Sequence, residues 1–110
     1  MDERPTAIVT VDDFVAMSVL REAAAAGIDV PGELSVIGCN NASLAEQVYP
    51  PLTSIDIHMY EIGFQAAELF DRLVYNSAPV ANIIVRHDLI VRKSTAPCCA
   101  RENERARVKK

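Results

Sequence analysis

Gly27-Ile28-Asp29-Val30-Pro31-Gly32-Glu33-Leu34-Ser35-Val36-Ile37-Gly38-Cys39-Asn40-Asn41 is the stretch that decides the fold. Gly27 closes a helical pattern, as a glycine in the left-handed region does at a helix C-terminus. Val30-Pro31-Gly32 reads as a turn, because Pro31 fixes φ and Gly32 tolerates a positive one. Leu34 to Ile37 is a short, nearly continuous apolar run closed by Gly38, the pattern of a strand buried on both faces of a parallel sheet. Asn40 and Asn41 follow at its carboxyl end, where ligands bind in open α/β sheets. Capping of the next helix is the other use for two such amides.

Upstream, Ala7-Ile8-Val9-Thr10-Val11 is apolar and β-branched and reads as a first buried strand. Asp12-Asp13 opens a helix, where either residue can cap and the helix dipole favours both carboxylates. Ala16, Val19, Leu20, Ala23 and Gly27 fall on one face of that helix, a small, flat face suited to a sheet. Strand, helix and strand with short connections make a right-handed βαβ unit.

Downstream, Ala42–Val48 can form a short helix that Tyr49-Pro50-Pro51 ends. Leu52–Ile57 reads as a third strand. From Glu61 to about Asn76 the apolar period returns to 3.6, with Ile62, Ala66, Leu69, Phe70 and Leu73 as the stripe. Glu68 and Arg72 are a favourable i, i+4 pair on the other side. Ser77-Ala78-Pro79 is a loop, followed by two extended pieces at Asn82–Val85 and Leu89–Arg92. From residue 97 onwards no apolar period remains, and the end of the chain reads as a disordered basic tail.

Composition narrows the class. One hundred and ten residues suffice for one domain with a modest core. Half are hydrophobic, yet Trp is absent and Phe and Tyr number three each, so the core must be aliphatic. Residues 1–100 carry a net charge of −7 and the last ten carry +3. An acidic body does not dock on phosphate backbones by itself. No apolar run reaches membrane-spanning length and the first 30 residues lack a signal-peptide pattern, so the expectation is a cytoplasmic protein without membrane contact. Cys39 reads as a small core residue, and adjacent Cys98 and Cys99 lack the spacing of a zinc site.

Chemical motifs are sparse. The glycines at 27, 32, 38 and 63 are too dispersed for a phosphate loop, no G-x-S-x-G elbow occurs, and neither His58 nor His87 has an evident partner in sequence. Asp12 and Asp13 can be paired as acid and base, but adjacent residues at a helix start point apart and capping explains them more simply. No nucleophile or oxyanion donor accompanies them, so neither catalysis nor a metal or other cofactor is expected.

A series of segments in fixed order resembles the C-terminal part of bacterial regulators of the LacI/GalR family. Ala7-Ile8-Val9 to Asp13-x-x-Ala16 resembles the family's strand–"ND"–helix start. Gly27-Ile28-x-Val30-Pro31-x-x-Leu34-Ser35-Val36-Ile37-Gly38 and Pro50-Pro51-Leu52-Thr53-Ser54-Ile55 are similar to its next two motifs. Met59-x-x-x-Gly63-x-x-Ala66 and Leu89-Ile90-Val91-Arg92-x-Ser94-Thr95 resemble its last helix and terminus. The resemblance spans about residues 5–97. It implies an α/β fold: a partial Rossmann-like parallel sheet with flanking helices, one fragment of a two-subdomain periplasmic-binding-protein-like architecture. On that mapping residues 1–97 are the C-terminal portion of an effector-binding domain and 98–110 a basic tail. Residues 6–56 finish the second subdomain, 60–85 belong to the first, and 86–97 cross back.

What the resemblance implies for function is an effector-binding and dimerisation portion of a transcription regulator. Its ligand is a sugar or nucleobase-like molecule, its partner a second copy, and DNA is reached only through a head domain absent from this chain. Asp12, Asn40, Val9 and Ile57 are the implied ligand wall, and Met17 and Val48 the implied dimer contacts. Asp12 stands where the family has Asn, and Asn40 where it has Asp, so amide and carboxylate are exchanged. An amide both donates and accepts, whereas a carboxylate only accepts. Cys39 replaces an aromatic residue and Ile57 a polar one. Two other classes fit less well: a transport-type sugar-binding protein of the same fold, and a small α/β hydrolase using Asp12 or Asp13.

Overall fold

The computed structural model describes residues 4–75, 79 and 81–98. In chain order it contains β1 (Ala7–Val9), α1 (Asp13–Ala25), β2 (Ser35–Cys39), a 3-10 turn (Ser43–Glu46), β3 (Thr53–Asp56), α2 (Met59–Tyr75) and β4 (Asp88–Ile90). The sheet order is β1-β2-β3-β4. The first three strands are parallel, with Ile8 opposite Val36 and Cys39 opposite Ile55. β4 runs antiparallel to β3, with Asp56 opposite Asp88.

α1 ends as Gly27 requires. With Gly27 at φ 71, its N–H reaches the Ala24 carbonyl at 3.2 Å and the Ile28 N–H reaches Ala23 at 2.9 Å. Those are the two bonds of a Schellman cap. The next turn is closed by Glu33 and Leu34 N–H groups on the Asp29 carbonyl at 2.8 and 3.1 Å. Gly32 serves here for a different reason than expected. Its φ is not positive, but a Cβ on it would run into the Asp29 carboxylate.

The core is thin and one-sided. Ala16, Leu20 and Ala23 of α1 pack on Val36, with Leu34, Ala45 and Leu52 completing it. Along β2 burial alternates: Val36 and Gly38 are buried, whereas Ser35, Ile37 and Cys39 are half-buried. A strand covered on both faces was expected; α1 covers only one. α2 departs further. It is a 17-residue helix with its apolar stripe in place, yet it buries no residue, and Phe70 is 64% exposed. The period marks the stripe, and the described residues cover it only in part: Ile62, Ala66 and Leu69 line one cavity with Ala81, Ile83 and Val85. The radius of gyration, 19.6 Å, accordingly exceeds the about 13 Å of a compact chain of this length.

Three boundaries also differ. The helix expected over 42–48 is a single 3-10 turn, too short to propagate before Pro50. The piece 82–85 carries no regular secondary structure and belongs to no ladder, and the last strand is Asp88–Ile90 rather than 89–92. Residues 76–78, which hold the expected end of the helix and part of the expected loop, and 99–110, most of the expected tail, lie outside the described residues.

Candidate functional site

The carboxyl ends of β1, β2 and β3 form one edge of the sheet, and the polar residues beyond them are held by a connected network. Its root is Asp13, which is 1% exposed. Asp13 Oδ1 accepts from Ser54 Oγ at 2.6 Å and Oδ2 from the Ala42 N–H at 2.6 Å. The first turn of α1 favours that buried carboxylate through the helix dipole. Ser54 Oγ in turn accepts from the Asn41 N–H at 3.0 Å. Asn41 then spends its whole side chain: Nδ2 donates to Asp56 Oδ2 at 3.1 Å, and Oδ1 accepts from Arg92 Nη2 at 2.7 Å. Arg92 Nη1 donates to the Leu52 carbonyl at 2.8 Å. Asp56 Oδ1 accepts the His58 N–H at 2.8 Å. That backbone donor first, and the Asn41 amide second, hold the Asp56 carboxyl below its ordinary value.

Asn40 and Asn41 sit at φ 93 and φ 50, a left-handed pair that short amides tolerate better than other side chains. Neither caps the next helical turn: its N-cap is Ala42, with no side-chain bond. The Asn40 N–H donates to Ile55 at 2.8 Å, anchoring its backbone to β3. Its Oδ1 faces only the Cys39 thiol, 3.7 Å away. Asn40 therefore presents a side chain less committed than that of Asn41. Cys39, expected in the core, is half-buried at the strand end.

Asp12 and Asp13 divide their work. Asp12 caps α1, its Oδ1 accepting from the Val15 N–H at 2.8 Å, and it remains half-exposed. Thr10 Oγ, donating to the Asp12 carbonyl at 2.7 Å, steadies this corner. Val9 is 65% exposed and Ile57 half-buried, so the four implied ligand residues stand along one edge at the ends of three adjacent strands. None is in hydrogen-bond contact with another. Met17 is half-buried on α1, and Val48 packs against this chain's own core.

Sequence reasoning missed Asp13, Asn41, Arg92 and Asp56 as one unit. The signal was the terminal Arg92-x-Ser94-Thr95. Ser94, fully buried, donates to the Val36 carbonyl at 2.6 Å and accepts from the Thr53 N–H at 2.8 Å. It stitches β2 to β3 where their ladder has not yet begun. His58 also has partners after all, Asp88 and Asp56. Among the described residues no group of three or more His, Cys, Asp and Glu is arranged to hold a metal, and no helix is long and apolar enough to cross a membrane.

A mostly parallel sheet with polar side chains along its carboxyl edge defines an α/β domain of the class in which ligands bind beyond that edge. Residues 1–95 match the profile of the periplasmic binding protein-like domain. The NTD biosynthesis operon regulator NtdR of Bacillus subtilis is 35% identical over 97 residues, and catabolite control protein A of Priestia megaterium is 38% identical over 96. Each match covers 86% of this chain and about 30% of the relative. A LacI-type regulator from Bacillus cereus subsp. cytotoxis superposes with a TM-score of 0.80 at 36% identity, over 87% of this chain and 34% of that one. A LacI-family regulator from Enterococcus faecium with bound ribose does so at 0.77 and 29%, over 87% and 36%. The chain belongs to the periplasmic binding protein-like domain family, and its relatives there are LacI/GalR-type transcription regulators. It spans about 30% of the length of those curated relatives.

Proposed function

We propose that this chain is the effector-binding and dimerisation portion of a LacI-type regulator, with a sugar as its effector. The observation that carries the reading is the carboxyl edge itself. Asn40 is anchored by its backbone, its amide oxygen takes a long bond from the Cys39 thiol, and it follows the strand next to the one that leads to Asp12, whose carboxylate caps α1. Convergent polar groups at strand ends suit a polyhydroxyl ligand, whose hydroxyls both donate and accept. Two similar structures carry bound ribose, which favours a sugar over a nucleobase for this edge. Residues 6–56 supply one wall of the cleft. The unburied α2, together with 60–85, belongs to the opposite wall, and 86–97 return the chain. Met17, with the exposed Phe14 one turn before it on α1, offers an apolar surface to a second copy, and the half-buried Val48 is the second contact of that interface. Occupancy of the cleft would bias its closure and so the spacing of the two halves of a dimer.

Calorimetry tests the reading in two settings. One wall leaves half of a sugar in water, so the 110 residues alone should bind ribose no better than millimolar, about −4 kcal/mol. Joined to the segments of a relative that the match leaves out, binding should recover. Asn40→Ala should then weaken it by about 1–3 kcal/mol through an unpaired hydroxyl. Micromolar binding by the short chain would sink the one-wall reading, and a silent Asn40→Ala would sink the site. Sedimentation at micromolar concentration tests the dimer: a clean monomer unchanged by Met17→Glu would count against it.

A further inference from the structure

Asp56 and Asp88 are directly opposed in the β3–β4 ladder, and like charges in that position repel. His58 stands against both. Its Nε2 lies 2.7 Å from Asp88 Oδ2, and its Nδ1 lies 3.6 Å from Asp56 Oδ1. The ring is held there by a left-handed backbone, φ 54, and by its own N–H on Asp56. The two passages between sheet and α2, the exit at 57–58 and the return ending at Asp88, thus meet at one imidazole.

We propose that His58 is a proton-operated clasp, whose imidazolium offsets one of the two negative charges of the Asp56–Asp88 pair and pins β4 and both passages to the end of β3. An imidazolium donates from both nitrogens, whereas a neutral ring donates from one and carries no charge. Asp56 is equipped to stay ionised opposite it, since the His58 N–H and the Asn41 amide both favour its carboxylate. Among the described residues no other charged group is paired with the ring. Arg92 is committed to Leu52 and Asn41, with Glu46 3.4 Å away, and Glu61 on α2 accepts from Gln65 at 2.7 Å. Arg86 and His87 precede Asp88 on the return and are exposed. The inference concerns this chain's own strands and stands apart from the effector reading. Because Asp56 also takes the Asn41 amide, the clasp reaches the loop that carries Asn40.

Amide hydrogen exchange by NMR on the full 110-residue chain tests it. Protection factors at Asp88–Ile90 should fall about two- to five-fold between about pH 5.5 and pH 8. In His58→Gln and in Asp88→Asn they should lose that dependence, while protection in β1 and β2 stays as in the parent. A slowly exchanging Nε2 proton resonance, present in the parent and absent in Asp88→Asn, would report the contact directly and needs only the milder variant to fold. The same pH dependence at Asp88–Ile90 in His58→Gln as in the parent, or in Asp88→Asn if His58→Gln does not fold, would overturn the proposal.

Discussion

Ser54 donates to Asp13 at 2.6 Å across 41 residues of sequence, and both side chains are buried. That bond fastens the first turn of α1 to β3, past β2 between β1 and β3, while the other Asp13 oxygen fixes the backbone of Ala42. Asp13→Ala leaves a buried hydroxyl and a half-buried N–H without an acceptor and opens a cavity. It should cost about 2–4 kcal/mol in urea melts. Asp13→Asn should recover only part of that, since its NH2 faces a donor. Ser54→Ala, alone and combined with Asp13→Ala, should reveal a coupling of about 1 kcal/mol or more. Strict additivity would show that the two side chains act separately.

Gly38 underlies that cluster. A Cβ there would overlap Asp13 Oδ1 and come within 2.9 Å of Leu52 Cδ2. Asp13 is pinned by two bonds and cannot withdraw, so Gly38→Ala should destabilise by about 1–3 kcal/mol. Gly63→Ala is the contrasting case. Nothing lies within 4 Å of its added methyl, and the site is interior to α2, so it should stabilise that helix by up to about 1 kcal/mol. Equal effects of the two changes would contradict this account.

The elements whose residues answer to local rules were legible: the cap at Gly27, α1 and β2 stand where period and turn chemistry put them, whereas β1, expected as a buried strand over 7–11, is a three-residue edge strand, Ala7–Val9, with no buried residue. Asp12 as the helix cap was legible for the same reason. Asp13 was not, because capping accounts for both carboxylates and only the arrival of Ser54, 41 residues on, turns one of them inward. Asn41 was likewise read as a cap, and its partners Asp56 and Arg92 lie 15 and 51 residues away. The α2 stripe shows the converse error. A helical period announces an apolar face without saying whether this chain covers it.

Acid should unfold the chain partly through two carboxylates. Asp56 has an ordinary value of 3.8 and Glu33 one of 4.5, and both are lowered in the fold. Glu33 is lowered first by the Asp29 N–H and then by Arg4. A depressed group contributes stability that is present above its ordinary value and lost as pH falls through its lower, folded one. Glu33 therefore begins to withdraw support below 4.5 and Asp56 below 3.8. Urea midpoints at pH 5 and at pH 3 should differ less in Asp56→Asn and in Glu33→Gln than in the parent. The two reductions should add, since the residues lie at opposite ends of the sheet. An unchanged difference in both variants would remove these carboxylates from the acid transition.

Arg92 joins three parts of the chain with one guanidinium. Nη1 closes the Leu52 carbonyl, Nη2 closes the Asn41 amide oxygen, and the backbone N–H reaches Thr53 Oγ at 3.0 Å. The side chain is 12% exposed, so water cannot readily replace these donors. Arg92→Ala should therefore cost about 2–3 kcal/mol by stranding a carbonyl and an amide oxygen. The backbone bond to Thr53 survives, which separates the guanidinium's share from the strand's. Arg92→Lys should restore little, because an ammonium is a point donor and cannot span two acceptors that a planar fork holds apart. The loss should also be local: amide resonances of Asn40 and Asn41 should move and exchange faster, while those of α1 hold. Glu46→Gln is the control, since its carboxylate is 73% exposed and 3.4 Å from Nη2, and it should change stability by less than about 0.5 kcal/mol. Full rescue by lysine would mean that charge, not the fork, holds the loop carrying Asn40, and a silent Arg92→Ala would mean that nothing there depends on it.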